Sequence, residues 1–203
     1  APYSIIATAV NTLPQRVEFP FSLINSPAQS LQGISPAYNE IMPGWVLSDN
    51  IYMVKRNEGK YKKRNKARRT TFIFDVFRQD IVDLMLQARK RLKEIPRTKD
   101  YYTAKDIPGL GKNYMSEGSR VKGIAAYDFY IEYYCLGGLK QYIEDLLKTG
   151  KKDIGTGIYN TTSADPAWEH QRNILNNNEF NQRSIKENLI RLAAQYDDEE
   201  ADA

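Results

Sequence analysis

Two rhythms of hydrophobic positions run along the chain. Between residues 3 and 24, Ile5, Ile6 and Val10, then Val17, Phe19, Phe21, Leu23 and Ile24, are β-branched or aromatic and partly alternate. Pro14 and Pro20 punctuate them, and the pattern predicts short β structure with Phe19, Phe21 and Leu23 on a buried face. Residues 25–44 carry Pro27, Gly33, Pro36, Pro43 and Gly44 and predict a loop. From Trp45 the spacing turns helical. Leu47, Ile51 and Val54 start a stripe that continues to Tyr61. A second helix is predicted by Ile73, Phe77, Ile81, Leu84, Ala88 and Leu92, stopping at Pro96. A third is predicted from about Val121 to Leu147, with a kink or short break at Gly137-Gly138, where each Gly costs about 1 kcal/mol relative to Ala. Helical pattern returns near Pro166-Ala167-Trp168 and again at Ile185, Leu189, Leu192 and Tyr196. The fold class expected from this pass is mainly α: an antiparallel helical bundle entered through a short N-terminal β segment.

Composition agrees with a folded chain. Of 203 residues, 41% are hydrophobic and 27% charged, enough apolar surface for one sizeable core. Net charge is only +4, but it is unevenly placed. Residues 55–99 carry sixteen Lys or Arg against five acids, while residues 150–203 carry six against ten and end in the acidic run Asp197-Asp198-Glu199-Glu200. The densest stretch is KRNEGKYKKRNKARR, residues 55–69, where nine cations face Glu58 alone. Lys62, Lys63, Arg64, Lys66, Arg68 and Arg69 form its basic patch. On a helix these charges point nearly all round, and Tyr61 is the sole aromatic among them. A solvated helix is the leading expectation, and nucleic acid is not expected as a partner.

A second candidate is IPGLGKNYMSEGSR, residues 107–120. Glycine exposes backbone N–H groups, Lys112 adds a point charge, and Ser119-Arg120 precede a predicted helix whose N-terminus favours anions. Gly109, Gly111, Lys112, Ser116, Ser119 and Arg120 are thus candidate ligands for a phosphate or carboxylate. The stretch is not a Walker A loop, since Asn113 follows Lys112 where Ser or Thr belongs. Its setting, residues 99–120 between helices, is long for a plain connector.

Other chemistry is thin. His170 is the one histidine and Cys135 the one cysteine, so neither an intrachain disulfide nor a Cys/His zinc site can form. Asp75, Asp80 and Asp83 line a polar helix face without metal-ligand spacing. Asn160-Thr161-Thr162 is a glycosylation sequon by letters only. No catalytic residue, metal site or cofactor is expected. No apolar run reaches membrane-spanning length, and a reducing, cytoplasmic setting is the natural expectation. The opening residues lack Met and a basic leader, so the chain reads as entered in mid-protein.

The opening APYSIIATAVNTLPQ is similar to the terminal coil of left-handed parallel β-helix proteins of the hexapeptide-repeat transferase class. With TLPQRVEFPFSLIN, the stretch from Ser35 to Arg69 and DIPGLGKNYM, it resembles the C-terminal part of a long, uncharacterised bacterial family carrying a β-helix and a helical extension. The resemblance implies three parts: residues 1–30 as the last coil of a β-helix, 31–150 as a helical domain, and 151–203 as a loop and C-terminal helix with the acidic tail. It implies a non-catalytic structural or interaction role within a larger protein, with the rest of that protein and a homo-oligomer as partners. The alternative is part of a sugar-phosphate or sugar-nucleotide transferase, with an anionic sugar at residues 107–120 and catalytic residues elsewhere. Polyanion binding through the basic block ranks third.

Overall fold

The computed structural model describes residues 1–70, 73–148 and 165–177. Five short strands join in one mixed sheet: β1 (Ile5–Ile6), β2 (Leu23–Asn25), β3 (Asn39–Met42), β4 (Tyr101–Thr103) and β5 (Asn113–Ser116). Their order is β1-β2-β3-β5-β4. β1 runs parallel to β2, and β3 parallel to β5; β2 and β3 are antiparallel, as are β4 and β5. The helices are α1 (Trp45–Asp49), α2 (Ile51–Arg64), α3 (Gln79–Glu94), α4 (Glu117–Lys148) and α5 (Pro166–Asn177).

This overturns the expected fold class. The described residues form neither an antiparallel helical bundle nor a coil of a left-handed β-helix; residues 1–30 give two strands of a sheet whose other three strands come from residues 39–116. The physical reason lies in the pairing. Ile5 and Ile6 lie beside Leu23 and Ile24 in register, and Ile24 pairs on its other side with Ile41, so the N-terminal segment is closed by later strands of its own chain. The stretch expected as a loop at 25–44 contains β3, and the long connector at 99–120 is occupied by β4 and β5.

Strand alternation explains what the sheet buries. Ile24, Asn39, Ile41, Tyr102, Asn113 and Met115 face the core and are almost wholly covered, while Asn25, Glu40, Met42, Tyr101 and Ser116 on the opposite face stay half-exposed. α3 buries Ile81, Val82, Met85, Ala88 and Leu92, whose spacing of one to four keeps them on one helical face. Phe19 and Phe21 are fully buried, as the alternation predicts, and Leu23 is half-covered. Tyr127 is also fully buried, and its hydroxyl donates to Pro20 O at 2.7 Å. Burial pushes that phenol well above its ordinary pKa, so it stays a neutral donor.

The chain divides into two compact units, Ala1–Tyr133 and Tyr134–Ala203. In the second, Gly137-Gly138 does not break α4, which runs as one helix through it. A Cβ on Gly138 would fall 1.8 Å from Gln171 Oε1 of α5, whereas Gly137 faces open space. The missing side chain lets Gln171 reach the α4 backbone, donating to Tyr134 O at 3.0 Å. Trp168 stacks on Tyr142 at 4.8 Å, and the Tyr134 hydroxyl meets His170 Nδ1 at 3.1 Å. The helical pattern at 185–196 and the acidic run at 197–200 lie outside the described residues.

Candidate functional site

The loop residues expected to hold an anion are brought near one another in sequence but not aimed at one point. Gly109 and Gly111 adopt φ of 93° and 67°. Both serve packing against residues 14–18: Gly109 O accepts from Glu18 N–H, and Lys112 N–H donates to Pro14 O at 3.0 Å. A Cβ on Gly111 would lie 2.3 Å from that same carbonyl oxygen. Asn113 Nδ2 also donates to Pro14 O, at 3.1 Å, and to Leu110 O. Lys112 is exposed.

At the start of α4, Ser116 acts as the cap rather than Ser119. Its hydroxyl accepts from Ser119 N–H at 3.1 Å and donates to Ser119 Oγ at 2.9 Å. Arg120 is buried and fully engaged. Nε and Nη2 donate to Glu117 at 2.6 and 2.8 Å, and Nη1 donates to Leu92 O at 2.6 Å, capping the end of α3. The hydrogen bond from Arg120 holds the Glu117 carboxyl below the usual range. An open depression of ≈ 640 Å³ lies beside Ser116, flanked by Arg97 and Lys122 but also by Asp100 and Glu117. Its mixed charge favours no single ligand sign.

The basic block divides into structural and unengaged cations. α2 ends at Arg64, so Lys66, Arg68 and Arg69 lie beyond the helix rather than on it. Glu58 turns inward: it accepts from Lys55 at 3.1 Å and Lys62 at 3.2 Å, and weakly from Val76 N–H at 3.4 Å. Burial alone would raise its carboxyl, but the two lysines outweigh it and hold the carboxyl below its usual range. Lys62 also reaches Asp75 at 2.5 Å. Arg56, Lys63, Arg64, Lys66, Arg68 and Arg69 are exposed and make no ion pair with a described residue. Tyr61, the aromatic counted within the block, stacks on Phe74 at 4.2 Å and is not free for a ligand.

What the sequence reading missed is an aromatic ledge directly beside this block. Phe77 stacks on Tyr130 at 5.6 Å, and Lys55 places its ammonium 5.1 Å from the centre of the Phe77 ring. Phe129 and Tyr133 meet Tyr130 edge-on, at 5.0 and 6.2 Å, and remain 60% and 54% exposed. The signal was present in α4: on a helix, Phe129 and Tyr133 fall roughly 120° or more from Tyr127 and Ile131, outside the face that those two residues bury. Only the position of Phe77, before the start of α3 and against Lys55, joins them to the basic helix.

One more ionisable group stands out on the half-exposed sheet face. Glu40 pairs in register with Tyr114, and burial raises its carboxyl pKa. Burial, helped by Glu40 and Tyr101, raises the Tyr114 phenol as well. Because the folded pKa of Glu40 exceeds its unfolded value, the native state holds the proton longer as pH rises. Its penalty grows through that window and is complete above the folded pKa. Glu40→Gln should therefore raise the thermal midpoint at neutral pH and leave it little changed in acid. A larger gain in acid than at neutral pH would contradict this.

Among the described residues, no group of three or more His, Cys, Asp or Glu is placed to hold a metal, and no helix is long and apolar enough to cross a membrane. Asp75 and Asp80 instead pair with Lys62 and Arg78. Cys135 is buried. Asn160-Thr161-Thr162 lies outside the described residues. Comparisons with protein-family models, curated proteins and solved structures find no match for this chain, so they lend no support to the resemblance drawn from its motifs.

Proposed function

We propose that this chain is an interaction domain that binds an anionic partner through α2 and the aromatic ledge, without catalytic chemistry of its own. The observation that carries the reading is the junction at Lys55, whose ammonium lies over Phe77 while the same helix presents exposed cations that pair with no acidic group among the described residues. Cations with no partner among the described residues need break no ion pair there to meet a ligand, and their summed field speeds encounter with a polyanion. The carboxylates bordering the surface support the same polarity: Asp75 and Asp80 are already neutralised by Lys62 and Arg78.

Retention on immobilised heparin tests this. The wild-type chain should need more salt for release than Lys63→Glu/Arg64→Glu, and more than the loss caused by the charge-matched control Lys105→Glu/Lys122→Glu, placed elsewhere on the surface. Equal elution of the two double variants would remove the basic helix as the contact surface.

A further inference from the structure

We propose that the anionic partner is a single-stranded nucleic acid, with bases stacked on the ledge and phosphates held by α2; this rests on the reading of α2 as the contact surface. Duplexes and sulfated polysaccharides can satisfy cations, but they offer no unpaired flat faces to aromatic rings. Single strands offer both, and proteins that bind them without sequence preference combine a basic track with aromatic platforms.

The geometry matches that pairing in three respects. First, ring faces are available. Phe129 and Tyr133 touch Tyr130 by edge contacts, and among the described residues no ring stacks on the face of either. They lie one turn apart on α4, about 6 Å along the axis, a step that an extended strand spans between nucleotides. Second, cations stand beside the rings. Lys55 and Lys62 lie on the α2 face toward Phe77 and Asp75, and exposed Lys63 and Arg64 follow in the last turn, spread round the helix. Tyr52, 75% exposed, precedes Lys55 by one turn on the same helix. Third, Gly59 lies between Lys55 and Lys62, and a Cβ there would meet nothing within 4 Å, so the track is open at its middle.

The cations set the affinity and the rings set the preference for single strands. If about five phosphates are contacted, the log–log salt slope on a single strand should be about −3.5. Truncating one stacking ring should weaken single-strand binding by roughly tenfold.

The test uses fluorescence anisotropy of the full chain with a labelled oligothymidylate, a duplex of equal length, and heparin as competitor. The expected result is tighter binding to the oligothymidylate than to the duplex, with Phe129→Ser and Tyr133→Ser each removing that preference. Both side chains are exposed, and an unchanged circular-dichroism melt will confirm that the variants fold. If duplex and single strand bind alike and the Ser variants bind as well as wild type, the single-strand inference is overturned while the anionic-partner reading stands. If neither nucleic acid nor heparin binds at physiological salt, both fall. If the chain self-associates through the ledge, and Phe129→Ser/Tyr133→Ser makes it monomeric without changing nucleic-acid binding, a second copy is the occupant and the inference is overturned.

Discussion

Gly111→Ala should be among the most damaging single-methyl changes in the chain, lowering stability by about 3 kcal/mol. Two costs combine. A φ of 67° places an alanine in the left-handed region, which costs roughly 1–2 kcal/mol. The new Cβ would also lie 2.3 Å from Pro14 O and 3.0 Å from Arg16 O, both backbone atoms that cannot rotate away. Relief requires residues 14–16 to separate from the loop, which breaks the Lys112-to-Pro14 hydrogen bond and loosens the buried Leu110. Gly33 separates the two costs, since its φ is 80° but nothing lies within 4 Å of an added Cβ. Gly33→Ala should show the conformational cost alone. Gly59→Ala, at an ordinary helical φ in open space, should stabilise by up to about 1 kcal/mol. Denaturant midpoints of the three variants check the series; a Gly111→Ala midpoint equal to that of Gly33→Ala would show that the loop does not bear on residues 14–16.

Arg120→Met should cost about 3 kcal/mol, even though methionine fills much of the same volume. The substitution strands two groups at once. Leu92 O loses its buried 2.6 Å donor at the end of α3, and Glu117 loses both hydrogen bonds from the guanidinium. Glu117 retains some solvent contact, so its share is smaller than that of a fully buried charge. The double variant Glu117→Gln/Arg120→Met should recover part of the loss by removing the unpaired carboxylate. Linkage gives a second check. Glu117 has a depressed folded pKa, so its stabilisation is present above the unfolded pKa and is lost as pH falls through the folded one. The gap between wild type and Arg120→Met should therefore narrow in acid. A gap that is constant with pH would assign the whole effect to packing and to Leu92 O.

Arg120 also shows how a sequence reading goes astray. A Lys, an Arg and two Ser among glycines resemble an anion cradle, because composition reports which groups are available and not where their hydrogen bonds go. Glu117, three residues before Arg120, and Leu92 on another element had already taken the guanidinium. The aromatic ledge failed in the opposite direction. The apolar stripe predicts Phe77 within a helix beginning near Ile73, but α3 starts at Gln79 and leaves Ile73 68% exposed. With the helix begun six residues too early, Phe77 could not be seen against Lys55 and Tyr130.

Local pattern by itself determined the helices, because an apolar stripe of period 3.6 is written in contiguous residues. α3 from Ile81 to Leu92, α4 through Tyr127, Ile131 and Leu139, and the start of α5 near Trp168 all follow it. It likewise determined that Phe19 and Phe21 are buried and that the cations of residues 55–69 crowd together. Tertiary structure alone decided the sheet. Asn39–Met42 and Asn113–Ser116 have only four residues each and begin with Asn, a poor strand former; they extend because each supplies hydrogen bonds to the other across more than seventy intervening residues. Strands of two to four residues carry too few alternations to announce themselves. Their partners, the close passage of Pro14 over Gly111 and the meeting of Lys55 with Phe77 are contacts between distant segments, and no local window contains both sides of such a contact.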